Sequence, residues 1–380
     1  MMTTINCQRT IGKLLILPLL WICLWLSSSD KHGLPGGVLF ALTTLFALAL
    51  VFGKISQCLS LPPLLGMLLI GFVLRVLSDV TKSTIFVVDT TWSSSLRSIA
   101  LVVILTRAGL GLDLINLRRL SWSVLRLACI PNLTEATVDA IMAVVLFKMP
   151  WLWAFMLGFI LSAVSPAVVV PSLLYLKDEK YGTKKGIPDL VLAAASFDDV
   201  LSISGFGICL GLSLSDGSSL AWDILRAPAE LLTGIVGGIV LGIGAKWITP
   251  SAIEETKDGE GTKGDGKDGN DGKDEKDGKD EKDGKEDSYV RTIILLLLGC
   301  FVLFGSKKIH FTGAGALAVI VMGLTYKHYT DSNAMDQQNT LLIKSHFKII
   351  WVNVAQPFLF VLIGASVSVS YLDGEFVGTF

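Results

Sequence analysis

The stretch that decides the fold runs from residue 187 to residue 206 and reads IPDLVLAAASFDDVLSISGF. It is long and apolar enough to cross a membrane as one helix, which takes roughly 20 residues. Two adjacent acids, Asp198 and Asp199, interrupt its apolar middle. At ~1.5 Å of rise per residue they lie about 15 Å beyond Pro188, which puts them near the bilayer midplane.

Carboxylates at this depth are informative because an ionised acid near the midplane costs several kcal/mol. Membrane helices keep such groups chiefly on pathways for ions or protons. Adjacent helical residues point ~100° apart, so one acid can face a cavity while the other packs against a neighbour. A carboxyl that holds either a proton or a cation, but not both, is sufficient for exchange. The alternative is that both acids are protonated and hydrogen-bond to neighbouring helices.

The rest of the chain has the same membrane character. Hydrophobic residues make up 52% of its 380 residues, and its mean hydropathy of +0.62 is high for a soluble protein. The sequence predicts an all-α, multi-pass membrane protein with about eleven transmembrane helices. The predicted segments are 11–28, 36–58, 62–77, 93–112, 120–147, 151–175, 187–213, 221–248, 290–306, 311–327 and 344–370.

Charge separates one hydrophilic stretch from this membrane part. Residues 254–287 carry 15 Asp or Glu and 8 Lys, which leaves 24 Lys or Arg against 18 acids elsewhere. We expect a disordered loop over 251–289, because it has almost no apolar residue to bury. It divides a first region, 1–250, from a second, 290–380. The remainder has no basic patch for nucleic acid, and the six scattered cysteines favour neither a disulfide framework nor a metal or other cofactor site.

Loop charges predict the orientation. Arg118, Arg119, Lys184 and Lys185 fall on the same side as the N-terminus if eleven helices alternate, and that side is expected to be cytoplasmic. The choice between the plasma membrane and an intracellular, for example mitochondrial, membrane stays open.

A second unusual helix precedes the acidic one and reads GFILSAVSPAVVVP over residues 158–171. Pro166 and Pro171 each remove a backbone donor in mid-membrane, and carbonyls freed near Ala163 to Ser165 are able to ligate a cation. Broken helices near the midplane recur in secondary transporters. A simple proline kink without a ligand is the alternative.

The fifth segment carries a further acid, Glu135, which is either a structural ion-pair partner or a coupled titrating group. Three residues earlier, Asn132-Leu-Thr134 is formally a glycosylation sequon. Inside an apolar helix we expect it to be unused.

Four motifs carry a family resemblance: LPPLLGML over 61–68, RAGLGLD over 107–113, AVSPAVVVP over 163–171 and SFDD over 196–199. Together they resemble the animal sodium/hydrogen antiporters of solute carrier family nine, subfamily B, in the cation/proton antiporter superfamily. The resemblance implies a homodimer of inverted-repeat protomers in the lipid bilayer. It also implies exchange of Na⁺ or Li⁺ for H⁺, a transport activity and not an enzymatic one.

The resemblance assigns roles to several residues. Asp199 becomes the central cation and proton carboxylate, Asp198 its partner in the Na⁺ site, and Ser165 with Pro166 part of the helix break. Glu135 matches a family acid that pairs with an arginine on a later helix.

The chain also departs from the family pattern. Three helices of the second half, among them the one with that arginine, are absent, so the second repeat is expected to be incomplete. We therefore expect the 380 residues not to transport by themselves. A non-transporting truncated relative or isoform that acts as a membrane subunit is the alternative function. An intramembrane aspartyl protease is disfavoured, because its acids lie on separate helices, and a channel is disfavoured because no filter sequence repeats.

Overall fold

The computed structural model describes residues 33–83, 85–214, 220–249, 272–331 and 334–368, together with Ile22, Cys23 and Leu26. Within these ranges every regular element is a helix. The α-helices are α1 (Val38–Cys58), α2 (Pro63–Thr81), α3 (Thr90–Gly111), α4 (Leu114–Phe147), α5 (Trp151–Ser162), α6 (Pro166–Asp178), α7 (Ile187–Leu214), α8 (Leu220–Ile248), α9 (Gly272–Lys308), α10 (Thr312–Thr330), α11 (Ala334–Ile350) and α12 (Gln356–Ser366). A 3₁₀ turn covers Thr183–Lys185, and a π-helical turn, Trp351–Ala355, joins α11 to α12.

These helices confirm the prediction of an all-α membrane protein. In the described part of the chain, nine spans are long and apolar enough to cross a membrane. The expected number of eleven is not confirmed. The segment predicted at 11–28 lies outside the described residues except for three positions, and α10 is less apolar because its last turn carries Lys327 and His328.

The charged stretch differs from expectation in its second half. Helix α9 begins at Gly272, inside the range for which the sequence predicts disorder, and continues without interruption to Lys308. Extending a helix costs far less than nucleating one, because each added residue gains a hydrogen bond. An apolar membrane helix can therefore propagate into a charged sequence that would not nucleate alone. Residues 251–271 of the predicted loop lie outside the described residues, and the division into regions 1–250 and 290–380 stays a prediction.

The helices group into two compact units. The first contains Met1–Ala100 and Ile350–Phe380. In it α2 and α12 approach so closely that a Cβ atom on Gly71 would lie 2.2 Å from the carbonyl oxygen of Val361. The rings of Phe46 and Phe358 stack at 4.5 Å, which attaches α1 to α12.

The second unit, Leu101–Ile349, contains the acidic helix. Its α8 packs along α10 through Gly234, Gly238 and Gly242, one residue per turn. A Cβ atom on Gly238 would lie 2.7 Å from the carbonyl oxygen of Ala318. Between membrane helices this close approach replaces the hydrophobic effect as the source of packing energy. The Glu230 carboxylate on α8 accepts a hydrogen bond from the Gly313 amide at 2.9 Å, and so holds the start of α10.

Candidate functional site

The proline-rich segment is a broken helix and not a kinked one. Helix α5 ends at Ser162 and α6 begins at Pro166. Between them Ala163 (φ −66°, ψ 122°) and Ser165 (φ −75°, ψ 111°) are extended. Pro166 donates no hydrogen bond and disfavours the helical conformation of the residue before it. The last carbonyls of α5 therefore lack their usual intrahelical partners.

Lys177, in the last turn of α6, attaches this helix to its neighbours. Its ammonium group donates to the Asp189 carboxylate at the start of α7, with 2.5 Å between Nζ and Oδ1. The same group donates to the carbonyl oxygen of Gly111 at the end of α3, at 2.8 Å. Asp189 is buried and Lys177 only partly exposed, so this ion pair is better shielded from solvent than a surface pair. It anchors the far end of α6 against the start of α7.

Asp198 connects the helix break to two other elements. Its side chain is 5% exposed, and each carboxylate oxygen accepts a hydrogen bond. The Asn132 amide on α4 donates to Oδ1 at 2.8 Å, and the Val164 backbone N–H donates to Oδ2 at 2.9 Å. Both partners are far from Asp198 in sequence, so the carboxylate is a junction between α4, α7 and the break.

Asp199 is the next residue, but its side chain has different surroundings. It is half-buried, and it makes no hydrogen bond or ion pair with any residue that the structure describes. The divergence of ~100° between adjacent helical side chains accounts for this. One carboxylate is thus held by two donors, while the other is not engaged by protein groups in the described part of the chain.

The other predicted site residues are only partly brought together. Ala163 and Ser165 are exposed and Pro166 is half-buried. The hydrogen bond that joins the break to α7 comes from Val164 and ends at Asp198, not at Asp199. Glu135 is exposed on α4 and makes no hydrogen bond or ion pair with the described residues, so its pairing stays a prediction.

Two residues of this cluster were missed from the sequence. Asn132 is 2% exposed, and its amide also donates to the Ser202 hydroxyl at 2.5 Å. From the sequence, Asn132 was considered only as part of a glycosylation motif that was expected to be unused. A usable signal was present, because a buried amide in an apolar membrane helix needs polar partners. Ser202 follows Asp198 by four residues and so lies on the same face of α7.

A cavity of about 310 Å³ lies beside the acidic helix. Its walls include Ser196 and Phe197, which stand one turn or less before Asp199, and its polar lining includes Arg118, Thr325 and His328. Neither Asp198 nor Asp199 is among the residues that line this cavity. Among the described residues no group of three or more His, Cys, Asp or Glu side chains is arranged to hold a metal ion.

The chain is similar to known membrane exchangers. A family model described as sodium/hydrogen exchanger, transmembrane, matches residues 41–263. Sodium/hydrogen exchanger 9B2 of Homo sapiens is 38% identical over 380 residues, which cover 98% of this chain and 62% of that protein. Sodium/hydrogen exchanger 9B1 of Homo sapiens is 36% identical over 369 residues, with 96% and 64% covered. The chain thus spans about three fifths of the length of these relatives.

A solved structure supports the same fold. The sodium proton antiporter MjNhaP1 from Methanocaldococcus jannaschii, at pH 8, matches with a TM-score of 0.55 and 18% identity. The match covers 88% of this chain and 72% of that one. At such low identity it is evidence for the fold alone.

Proposed function

This chain belongs to the sodium/hydrogen exchanger family, and from that premise we propose that it serves in exchange of Na⁺ or Li⁺ for H⁺, by itself or as part of a longer chain, with Asp199 as the carboxylate that carries either ion. The family consists of transporters and not of enzymes. The chain is a multi-pass membrane protein, since nine described spans are able to cross a bilayer. The choice between Na⁺ and Li⁺ belongs to the proposal.

The contrast between Asp199 and Asp198 is the observation that most supports Asp199 as the ion carrier. The Asp198 oxygens each accept a hydrogen bond, whereas Asp199 is half-buried and unengaged by the described residues. A transport site must bind its ion and release it again, so an unengaged carboxylate suits it better than one held by two donors. A proton and a cation compete for the same oxygens, and this competition couples their movements in opposite directions.

The helix break supplies the neutral part of the proposed site. Carbonyl oxygens at the end of α5 lack helical partners, and carbonyls are suitable ligands for a monovalent cation. We assign Ala163, Ser165 and Pro166 to this part, with Asp198 as the residue that joins it to α7. The protein is proposed to work as a homodimer in the bilayer, which light scattering of the purified protein in detergent would measure.

The test replaces Asp199 by Asn, both in these 380 residues and in a version extended by the three further helices of the family pattern, and measures Na⁺- and Li⁺-driven pH change in proteoliposomes. We expect the exchange to be abolished, because Asn keeps the shape of the side chain and loses the charge. The melting temperature should not fall, since Asp199 makes no hydrogen bond with described residues. Asp139→Asn is the matched control, an acid in α4 that is also half-buried, and it should retain exchange.

Other outcomes would contradict the proposal. Undiminished exchange in Asp199→Asn would exclude this residue as the ion carrier. Exchange from the extended version alone would support the expectation that the 380 residues do not transport by themselves. Absence of exchange from both versions, with correct insertion, would favour the alternative role of a membrane subunit.

A further inference from the structure

Asn132 is a buried amide in the middle of a long apolar helix, α4. Its side-chain nitrogen donates to Asp198 Oδ1 at 2.8 Å and to the Ser202 hydroxyl at 2.5 Å. The reverse orientation of the amide would place its oxygen against a carboxylate oxygen, which is repulsive. The nitrogen is therefore the atom that faces Asp198.

The two donors to Asp198 come from different elements and occupy different oxygens. Asn132 on α4 takes Oδ1, and the Val164 amide in the break takes Oδ2. An oxygen that accepts an N–H at this distance directs a lone pair at the donor hydrogen. A cation that approached along the same direction would meet the positive end of the N–H dipole. Each donor therefore occupies one lone-pair direction of an Asp198 oxygen and draws negative charge away from a cation, which weakens direct coordination there.

We infer that Asn132 is a positioning residue that holds Asp198 out of the cation's coordination and so leaves Asp199 as the single carboxylate of the transport site. This inference rests on the proposed exchange at Asp199. Ser202 has a smaller part: it accepts a hydrogen bond from the same amide nitrogen and so helps to keep the amide plane in place. With one carboxylate the cation is bound weakly enough to be released in every cycle.

The first test is Asn132→Leu, which removes the donor at similar side-chain volume. Freed from its donor, Asp198 Oδ1 becomes available as a second charged ligand. We expect the Na⁺ concentration at half-maximal exchange to fall roughly tenfold, with a lower maximal rate because release is slower. A merely structural role would lower the maximal rate and leave the half-saturating concentration unchanged. Asn132→Ser, which is too short to reach Asp198, gives the same test if the Leu variant folds poorly.

Two serines on α7 give comparison variants, of which Ser202 belongs to the cluster and Ser204 is the control outside it. Ser202→Ala removes the second partner of the amide and should change the half-saturating Na⁺ concentration by less than about twofold. Ser204→Ala changes another buried hydroxyl one half-turn away, whose oxygen has no hydrogen-bond partner in the described part of the chain. It should behave like the unmutated protein.

A double variant separates the inference from the function on which it rests. Na⁺ should raise the melting temperature of the purified unmutated protein, and Asp199→Asn should abolish this rise. Adding Asn132→Leu to Asp199→Asn should restore it, because the freed Asp198 then binds the cation. The inference is wrong if two results come together: the double variant does not respond to Na⁺, and Asn132→Leu leaves the half-saturating Na⁺ concentration unchanged. If the unmutated protein responds to Na⁺ in the same experiment, the proposed function stands. If the unmutated protein neither exchanges nor responds to Na⁺, both are wrong.

Discussion

Two proline-containing interruptions of apolar spans, at Pro166 and at Pro357, have opposite outcomes. Before Pro166 the helix stops at Ser162, and extended residues separate α5 from α6. Before Pro357 the helix continues through the π-helical turn Trp351–Ala355, and the span Asp336–Ser366 stays unbroken over 31 residues. Proline therefore accompanies the end of one helix, whereas the other helix stays continuous at its proline.

The two interruptions differ in the acceptor to which a backbone N–H near the proline donates its hydrogen bond. At the π turn the Gln356 amide donates to the carbonyl oxygen of Trp351, so the helix widens and the hydrogen bonds continue. At the break the Val164 amide leaves the helix and donates to Asp198 on α7. Pro131, Pro171 and Pro228 also lie within helices. In this chain the helix is thus open where an N–H near the proline donates to a side chain of another helix, and continuous where it donates to a carbonyl of its own helix.

Among the variants that test this comparison, Asp198→Asn is expected to have the largest effect. It removes one of the two acceptor oxygens with which Asp198 joins α4, α7 and the break. Either the Asn132 amide or the Val164 amide then faces an NH₂ group and stays unpaired. A buried donor without an acceptor costs about 1–3 kcal/mol. We expect a clear fall in melting temperature, read by fluorescence-detected size exclusion, with part of the exchange retained. A variant that is as stable as the unmutated protein but devoid of exchange would assign Asp198 to the ion site instead.

A matched proline pair gives the next largest effect. Pro166→Ala supplies a donor and relieves the restriction on Ser165, so residues 163–165 can become helical. The Val164 amide would then turn away from Asp198, and exchange should fall roughly tenfold, equivalent to about 1.4 kcal/mol. Pro357→Ala should leave exchange unchanged and shift stability by less than about 0.5 kcal/mol, because the helix is already continuous there. Equal loss of exchange in both variants would remove the distinction between the two interruptions.

The smallest effect is expected from Ser165→Ala. Ser165 stands at the N-cap position of α6, but its side chain makes no capping hydrogen bond. An N-cap side chain that does bond is usually worth about 1 kcal/mol, so its replacement here should change the melting temperature little. Under the proposed function, a higher half-saturating Na⁺ concentration at unchanged stability would report contact between the hydroxyl and the cation. A large loss of stability would mean that the Ser165 hydroxyl does cap the start of α6 when the protein is in the membrane.

Much of the helical framework was predictable because its signals are local. Apolar runs of membrane length predicted most of the helices from residue 36 onwards, and counting from Pro188 predicted Asp198 and Asp199 in the middle of a span, which the structure gives as Ile187–Leu210. Pro166 marked the position of an interruption, but the sequence left a break and a kink as alternatives, since other prolines of this chain lie within continuous helices. The start of α9 was not predictable from composition, since a helix can extend into a charged stretch from an adjacent apolar span.

By itself, the sequence determined that this chain is a bundle of membrane helices, in which two adjacent acids interrupt one apolar span and a proline-rich span precedes it, because hydropathy and helical periodicity act within one segment. Only the tertiary structure decided which acid is engaged. Asn132 and Val164 reach Asp198 across separations of 66 and 34 residues, and no periodicity within α7 reports on them. Adjacent side chains diverge by ~100°, so neighbours from other elements determine which carboxylate is held and which is left unengaged.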